Sequence, residues 1–200
     1  MNYRVMIQGY ELEFLEGSHT YLVDGVIVPS ITQILQVRFG KKYDRVRKET
    51  LQRAAEHGTA VHDAIEAYCK TGHESPIPEV RNFKFLQSRY GFEVLANEVP
   101  VILFDRKDDE PIAAGRLDLV LRMDGKIGGA DIKRTSVLDK DYLAYQLNLY
   151  RIAYQQSYGQ EWEFLRGVHL RDEVRKFVRI PIAEDLAWEL VDEWRNNEHQ

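Results

Sequence analysis

The chain has 200 residues, 44% of them hydrophobic and 30% charged, which is ordinary for a soluble globular protein of one domain. Its single cysteine, Cys69, excludes an internal disulfide, a structural zinc site of the usual kind and an iron–sulfur cluster. A net charge of −5 argues against a protein that coats nucleic acid non-specifically. With no long apolar run and no signal-peptide pattern, we expect no membrane span and a cytoplasmic location.

The beginning of the chain predicts short strands followed by a helix. Residues 3–15 alternate loosely between apolar and polar side chains. Residues 19–28 read as two short strands around Asp24 and Gly25, a strong hairpin turn. Ser30 precedes an apolar-periodic segment and is a good helix N-cap.

Two helices and a long strand are predicted next. The first helix covers residues 44–70 and is expected to be interrupted near Gly58. The second covers residues 78–90, where apolar side chains recur with helical spacing. Residues 93–104 read as a strand that is broken near Pro100.

The rest of the chain alternates between strands and helices. After a loop at 105–111, strands are predicted at 115–122, 127–134, 162–170 and 174–182. Helices are predicted at 139–158 and 183–195. This order predicts an α/β or α+β fold, with a mixed central β-sheet flanked by helices.

Charge is distributed unevenly along the chain. Residues 38–53 hold seven basic and two acidic side chains and carry +5, whereas residues 184–198 hold six acidic side chains and one basic. Either segment is ordinarily a solvated surface. The basic segment is nevertheless the one best suited to contact phosphates.

The candidate chemistry lies on two neighbouring strands. Asp118 stands in a strand, where aspartate is depleted, and Asp131 and Lys133 share one face of the return strand. A hairpin would bring the three together. Such a patch suits phosphodiester hydrolysis, because carboxylate-bound divalent cations neutralise phosphate and activate water, which a lysine orients or deprotonates. A salt-bridged pair on a wet sheet face is the alternative.

Two helical pairs add to this pattern. His62 and Glu66 lie four residues apart and share a helix face, and imidazole is a good ligand for manganese-like metals. Gln146 and Tyr150 share a face in the same way. Gly58, one turn before His62, permits close approach of a phosphate. For each of these residues, an ordinary structural role in the helix is the alternative to a functional one.

Taken in chain order, these segments resemble the RecB-type branch of the PD-(D/E)XK nuclease superfamily. The segments that carry the likeness are residues 58–66, Glu98, residues 115–118, residues 131–133 and residues 146–150. Residues 19–35 are similar to the N-terminal region of small phage-borne members, and the likeness covers roughly residues 18–155. It implies a restriction-endonuclease-like core, with Asp131 where glutamate is commoner.

The resemblance implies a role for each matched residue. The implied metal ligands are His62, Asp118, Asp131 and the backbone carbonyl of Ile132. The implied catalytic set is Lys133, Asp118, Asp131, Gln146 and Tyr150, the last two contacting the DNA strand and supporting the lysine. Glu66 and Glu98 are supporting acidic positions. The implied cofactor is Mg²⁺ or Mn²⁺, with His62 favouring manganese slightly.

We expect DNA to run along the basic segment. The candidate DNA-binding residues are Lys41, Lys42, Arg45, Lys48, Arg53 and Arg116. Phe39 and Tyr43 lie among these charges and either stack on bases of a single strand or pack between helices.

The sequence therefore predicts a single nuclease domain over residues 1–200. It comprises N-terminal strands and a basic segment (1–57), a nuclease core (58–182) and an acidic helix (183–200). The leading hypothesis is a metal-dependent DNA exonuclease of recombination, repair or phage genome processing, in a bacterial or phage-infected cell, with DNA and a recombination or helicase protein as partners. The alternatives are a nuclease-like module that binds without cutting, and an interaction protein that docks through residues 184–195.

Overall fold

The fold is that of a computed structural model, which describes residues 2–40 and 47–198. The strands are β1 (Tyr3–Ile7), β2 (Tyr10–Leu15), β3 (Thr20–Val23), β4 (Val26–Val28), β5 (Glu93–Phe104), β6 (Pro111–Met123), β7 (Lys126–Lys133), β8 (Phe164–Leu170) and β9 (Arg175–Ile180). The helices are α1 (Ile31–Ile34), α2 (Gln36–Phe39), α3 (Lys48–Thr71), α4 (Pro78–Tyr90), α5 (Lys140–Tyr158) and α6 (Glu184–Glu198).

The first four strands form an antiparallel sheet in the order β1-β2-β3-β4. The predicted hairpin joins β3 to β4, and its turn residues have positive φ, 48° at Asp24 and 79° at Gly25, as a type I′ turn requires. Ser30 caps α1 as predicted. Its hydroxyl accepts the backbone N–H of Gln33 at 3.1 Å, and the Gln33 side chain accepts the Ser30 N–H at 2.6 Å, which completes a capping box.

The central sheet has the order β5-β6-β7-β8-β9. Strands β7 and β8 are parallel, and the other neighbouring pairs are antiparallel. Parallel neighbours need a crossover connection, and α5 supplies it between β7 and β8. The predicted fold class, a mixed central sheet flanked by helices, is confirmed.

The helices pack on both faces of the central sheet. Helix α5, joined by α1 and α6, buries its apolar side chains in one cluster with Val120. Helices α3 and α4 pack with Leu119 and Leu121 in a second cluster. Neighbouring residues of β6 therefore serve opposite faces, as strand alternation requires.

The N-terminal sheet packs directly against β5 and β6. Leu12 and Phe14 are buried in a third cluster with Ile102 and Ala114. Ser30 also forms an isolated parallel bridge with Ala114. Because of this packing, β3 and β4 contact β6, the second strand of the central sheet.

Two predicted breaks are wrong. Helix α3 runs through Gly58 without interruption, because one glycine costs a helix only about 1 kcal/mol relative to alanine and burial of Val61 and Ile65 outweighs that cost. Strand β5 continues through Pro100. It is an edge strand of the central sheet, where proline is tolerated because its missing N–H can face away from the neighbour.

Another difference concerns β6. The strand begins at Pro111 rather than at residue 115, which leaves a shorter loop than predicted. Among the described residues, no helix has both the length and the apolar character needed to cross a membrane.

Candidate metal centre

One helix and three adjacent strands carry the candidate catalytic side chains. His62 lies in α3, Glu98 in β5, Asp118 in β6, and Asp131 and Lys133 at the end of β7. The register of β5 with β6 places Glu98 opposite Asp118. The register of β6 with β7 places Asp131 on the other side of Asp118. Residues from widely separated parts of the sequence therefore meet at one place in the sheet.

Glu98 has an unusual backbone for a strand residue. Its φ is 49°, and the other described residues with positive φ lie outside the strands. The left-handed region costs a residue with a side chain about 1–2 kcal/mol. Strain of this kind is concentrated at functional sites, where the surrounding structure maintains it.

Three side chains form a cluster with metal-ligand chemistry. Nδ1 of His62 lies 3.5 Å from Oε1 of Glu98 and 3.6 Å from Oδ1 of Asp118. One ligand atom from each residue lies within 4.8 Å of the other two. Asp131, an expected ligand, is absent from this triplet, and Glu98, expected only as a supporting acid, belongs to it.

Backbone groups of Ile132 orient two members of the cluster. Nε2 of His62 lies 3.2 Å from the Ile132 carbonyl oxygen, which can only accept, so Nε2 donates and Nδ1 is directed to the carboxylates. The Ile132 N–H donates to Oδ2 of Asp118 at 2.6 Å. Hydrogen bonds of this kind fix the orientation of metal ligands in known centres.

Lys133 and Asp131 form a buried ion pair beside the cluster. Nζ of Lys133 lies 2.6 Å from Oδ2 of Asp131, whose side chain is 4% exposed. The two side chains share a face of β7, as the sequence predicted from their spacing. The lysine is thereby held at the edge of the cluster rather than free in solvent.

Burial and mutual charge shift the pKa values of these groups. Burial lowers the pKa of His62, but the charges of Asp118 and Glu98 outweigh it and raise this pKa to about 9. Burial raises the pKa of Asp118 and, with the charge of Asp118, that of Asp131. Burial also opposes the charge on Lys133, but Asp131 and Asp118 raise its pKa. The carboxylates therefore favour positive charge at His62 and Lys133.

The cluster opens into a cavity of about 290 Å³. Gln146 and Tyr150 of α5 line it. Oε1 of Gln146 is buried and accepts no hydrogen bond within the described residues. Burial raises the pKa of Tyr150 well above its ordinary value, so its hydroxyl stays protonated. Gly115 makes room for this ring, because a Cβ there would lie 2.9 Å from Cε1 of Tyr150.

Several cavity residues were missed by sequence reasoning. They are His19, Tyr21, Ser30, Thr32, Thr59 and Asp63. Thr59 lies three residues before His62, so the helical face predicted for His62 and Glu66 was a signal for it. His19 and Tyr21 reach the cavity only because the N-terminal sheet packs on β5 and β6, which no local pattern indicates.

The predicted supporting and DNA-binding residues lie in different environments, some in ion pairs and others exposed to solvent. Glu66 pairs with Lys70 on the surface of α3. Nε of Arg116 lies 2.5 Å from Oε2 of Glu98, and Arg116 lines the cavity. Lys48 and Arg53 are exposed on α3.

The structure describes only some of the other predicted residues of the basic segment. Lys41, Lys42, Tyr43 and Arg45 lie outside the described residues. Phe39 packs edge-on against Tyr142 and Tyr145, with ring centroids 5.3 and 5.5 Å away. Of the two alternatives predicted for Phe39, stacking on bases or packing between helices, the structure shows packing between helices.

No protein-family model and no curated protein matches the chain. Among solved structures, the chain is similar to the crystal structure of SSO0001, with 15% sequence identity and a TM-score of 0.50. The match covers 85% of this chain and 76% of that one. At this identity, the likeness supports the fold and nothing further.

Proposed function

We propose that this chain is a divalent-metal-dependent DNA nuclease that hydrolyses phosphodiester bonds, and that it acts as an exonuclease. One observation carries the proposal. Nδ1 of His62 and carboxylate oxygens of Glu98 and Asp118 lie within 4.8 Å of one another, beside the Lys133–Asp131 ion pair. A nitrogen and two carboxylate oxygens suit Mg²⁺ or Mn²⁺, and the imidazole favours manganese.

The donor set fits such a cation on chemical grounds. The carboxylates raise the pKa of His62 to about 9, which supports a site that favours positive charge next to Nδ1. Asp131 and Ile132, the other expected ligands, line the same cavity. When bound, a divalent cation would neutralise the phosphate and lower the pKa of an attacking water.

The chain's own residues have separate tasks in this proposal. Ile132 orients His62 and Asp118 through its carbonyl and N–H. Asp131 holds the Lys133 ammonium at the cavity, where it stabilises negative charge that develops on the phosphate. Oε1 of Gln146, which accepts no hydrogen bond within the described residues, and the protonated Tyr150 hydroxyl offer further contacts to the strand.

DNA as the substrate is supported by the resemblance to RecB-type nucleases and by the charge of residues 38–53, which leads into α3 and so to His62. Each phosphate contacted by such a segment adds salt dependence to binding. The same resemblance supports an exonuclease of recombination, repair or phage genome processing in the cytoplasm, working with a recombination or helicase partner.

The decisive experiment compares wild type with Lys133→Ala on end-labelled linear and closed circular DNA, single- and double-stranded, with Mn²⁺, Mg²⁺ or EDTA. We expect metal-dependent loss of linear DNA, and a rate lower by about 100-fold or more in the variant, because a charge-stabilising donor is lost. Lys107→Ala, which changes an exposed loop lysine, is the matched control and should retain full activity.

Asp118→Asn tests the metal centre separately. It should abolish cleavage and leave DNA binding intact, because it removes a metal ligand and no basic side chain. Full activity in Asp118→Asn would contradict the site. Cleavage of circles would make the enzyme an endonuclease, and binding without cleavage of any substrate would favour the non-cutting alternative.

A further inference from the structure

A cavity of about 750 Å³ opens beside the turn between β6 and β7, and it shares no lining residue with the candidate metal centre. Its cationic side chains are Lys126, Arg166 and Arg179, and its acidic ones are Asp124 and Glu163. Its apolar lining includes Met123, Phe164 and Ile182. A volume of this size accommodates a small ligand of nucleotide dimensions.

Arg166 and Arg179 lie directly opposite each other on β8 and β9. Like charges at directly opposed positions repel and destabilise a sheet. Lys126 has a counter-charge, with Nζ 3.5 Å from Oε2 of Glu163. Among residues 2–40 and 47–198, no carboxylate forms an ion pair with either arginine. The two guanidinium groups therefore form an uncompensated pair of positive charges.

Within the described part of the chain, the surroundings of Arg166 also provide no negative charge within contact distance of its guanidinium. Its guanidinium lies over the rings of Phe164 and Phe177, at 5.2 and 5.5 Å from their centroids, and Nη1 donates to the Leu165 carbonyl at 3.0 Å. Burial, and then the charge of Arg179, lower the pKa of Arg166. Ring contacts offset part of the cost of burying a cation, but a counter-charge would offset much more.

The position of this cavity separates it from the candidate metal centre. Arg166 pairs with Ala130 of β7, and Asp131 pairs with Gly167. Successive strand residues point to opposite faces, so Arg166 and Asp131 lie on opposite faces of the central sheet. A group bound by Arg166 is therefore different from one that contacts Lys133.

We propose that Arg166 and Arg179 form a phosphate-binding site in this cavity. Arginine is the side chain best matched to a phosphate, because its planar fork makes two parallel hydrogen bonds to the oxygens. The apolar walls fit the sugar or base attached to such a group. The phosphate comes either from a free phosphate or mononucleotide, or from a nucleic-acid strand that continues around the protein.

The test measures binding of inorganic phosphate and of a short single-stranded oligonucleotide to the full chain, with EDTA present so that no divalent cation recruits either ligand. The variants are Arg166→Gln and Arg179→Gln. The matched control is Arg175→Gln, which removes the same charge from the same strand but outside the cavity, where the guanidinium lies 3.8 Å from the centroid of the Phe85 ring. Because Arg179 is exposed, its variant tests the site without disturbing the core.

We expect both cavity variants to weaken phosphate binding by about tenfold or more, the loss typical of a charged hydrogen bond, and the control to change it by less than about twofold. Weakened binding of inorganic phosphate alone assigns the site to a free phosphate or mononucleotide. If binding of the oligonucleotide is weakened too, the site is assigned to a nucleic-acid strand. The proposal is overturned if neither ligand distinguishes the cavity variants from Arg175→Gln.

Discussion

At the scale of single residues, Glu98 combines two unfavourable features. Its backbone lies in the left-handed region at φ 49°, and its carboxylate belongs to the same cluster as that of Asp118. Arg116 and His62 compensate for part of the charge, but neither relieves the backbone. Backbone strain of this kind clusters at functional sites, and the proposed metal centre would account for it at Glu98.

The backbone strain predicts a difference between two substitutions. Glu98→Gly should be more stable than Glu98→Ala by about 1 kcal/mol in EDTA, because glycine adopts positive φ without the Cβ clash. Both variants lose the carboxylate, so the difference isolates the backbone. Urea unfolding at equilibrium measures it. An alanine variant at least as stable as the glycine variant would show that residue 98 does not hold this conformation in solution.

Site residues could be placed together from the sequence only where they lie close to one another along the chain. Asp131 and Lys133 could be placed together because strand alternation is a local property, and Asp118 because a short hairpin joins its strand to theirs. Glu98 was matched only as a supporting acid. Its place in the triplet depends on the register of β5 with β6 and on a positive φ, and neither is encoded in a short pattern.

At the scale of elements, local signals predicted most helices and hairpins. The Ser30 capping box and the turn at Asp24 and Gly25 use contacts within a few residues. The two wrong breaks, at Gly58 and Pro100, are places where tertiary packing and edge position override local preference. The packing of the N-terminal sheet on β5 and β6 could not be predicted, because its partners are about 90 residues apart.

Substitution by alanine is expected to have opposite effects on the free energy of unfolding at two glycines. Gly58→Ala should stabilise the protein by about 0.5–1 kcal/mol, because alanine is the better helix former and a Cβ at this position meets nothing within 4 Å. Gly129→Ala should destabilise it by about 1–3 kcal/mol through overpacking, because a Cβ there would overlap the buried Trp162 ring. Urea unfolding of both variants checks the signs. Equal effects would contradict the packing of Trp162 on β7.

At the scale of the whole molecule, the candidate centre exists only when the chain is folded. Its nearest ligand atoms come from α3, β5 and β6, and Asp131 and Lys133 come from β7. An unfolded chain separates these groups and holds a cation weakly. Metal binding and folding are therefore linked, since a ligand that binds only the native state stabilises it by mass action.

This linkage gives a prediction that is independent of cleavage. Mn²⁺ at about 100 times its Kd should raise the free energy of unfolding of wild type by about 2.7 kcal/mol relative to EDTA. Asp118→Asn and Glu98→Gln should lose most of that increase, because each removes a ligand charge from the triplet. Glu93→Gln is the matched control, because the Glu93 carboxylate lies on the same strand as Glu98 but pairs with Arg122 at 3.0 Å outside the triplet, so the increase should persist. If Mn²⁺ stabilised Asp118→Asn as much as wild type, the cation would bind elsewhere, whatever the nuclease assays gave.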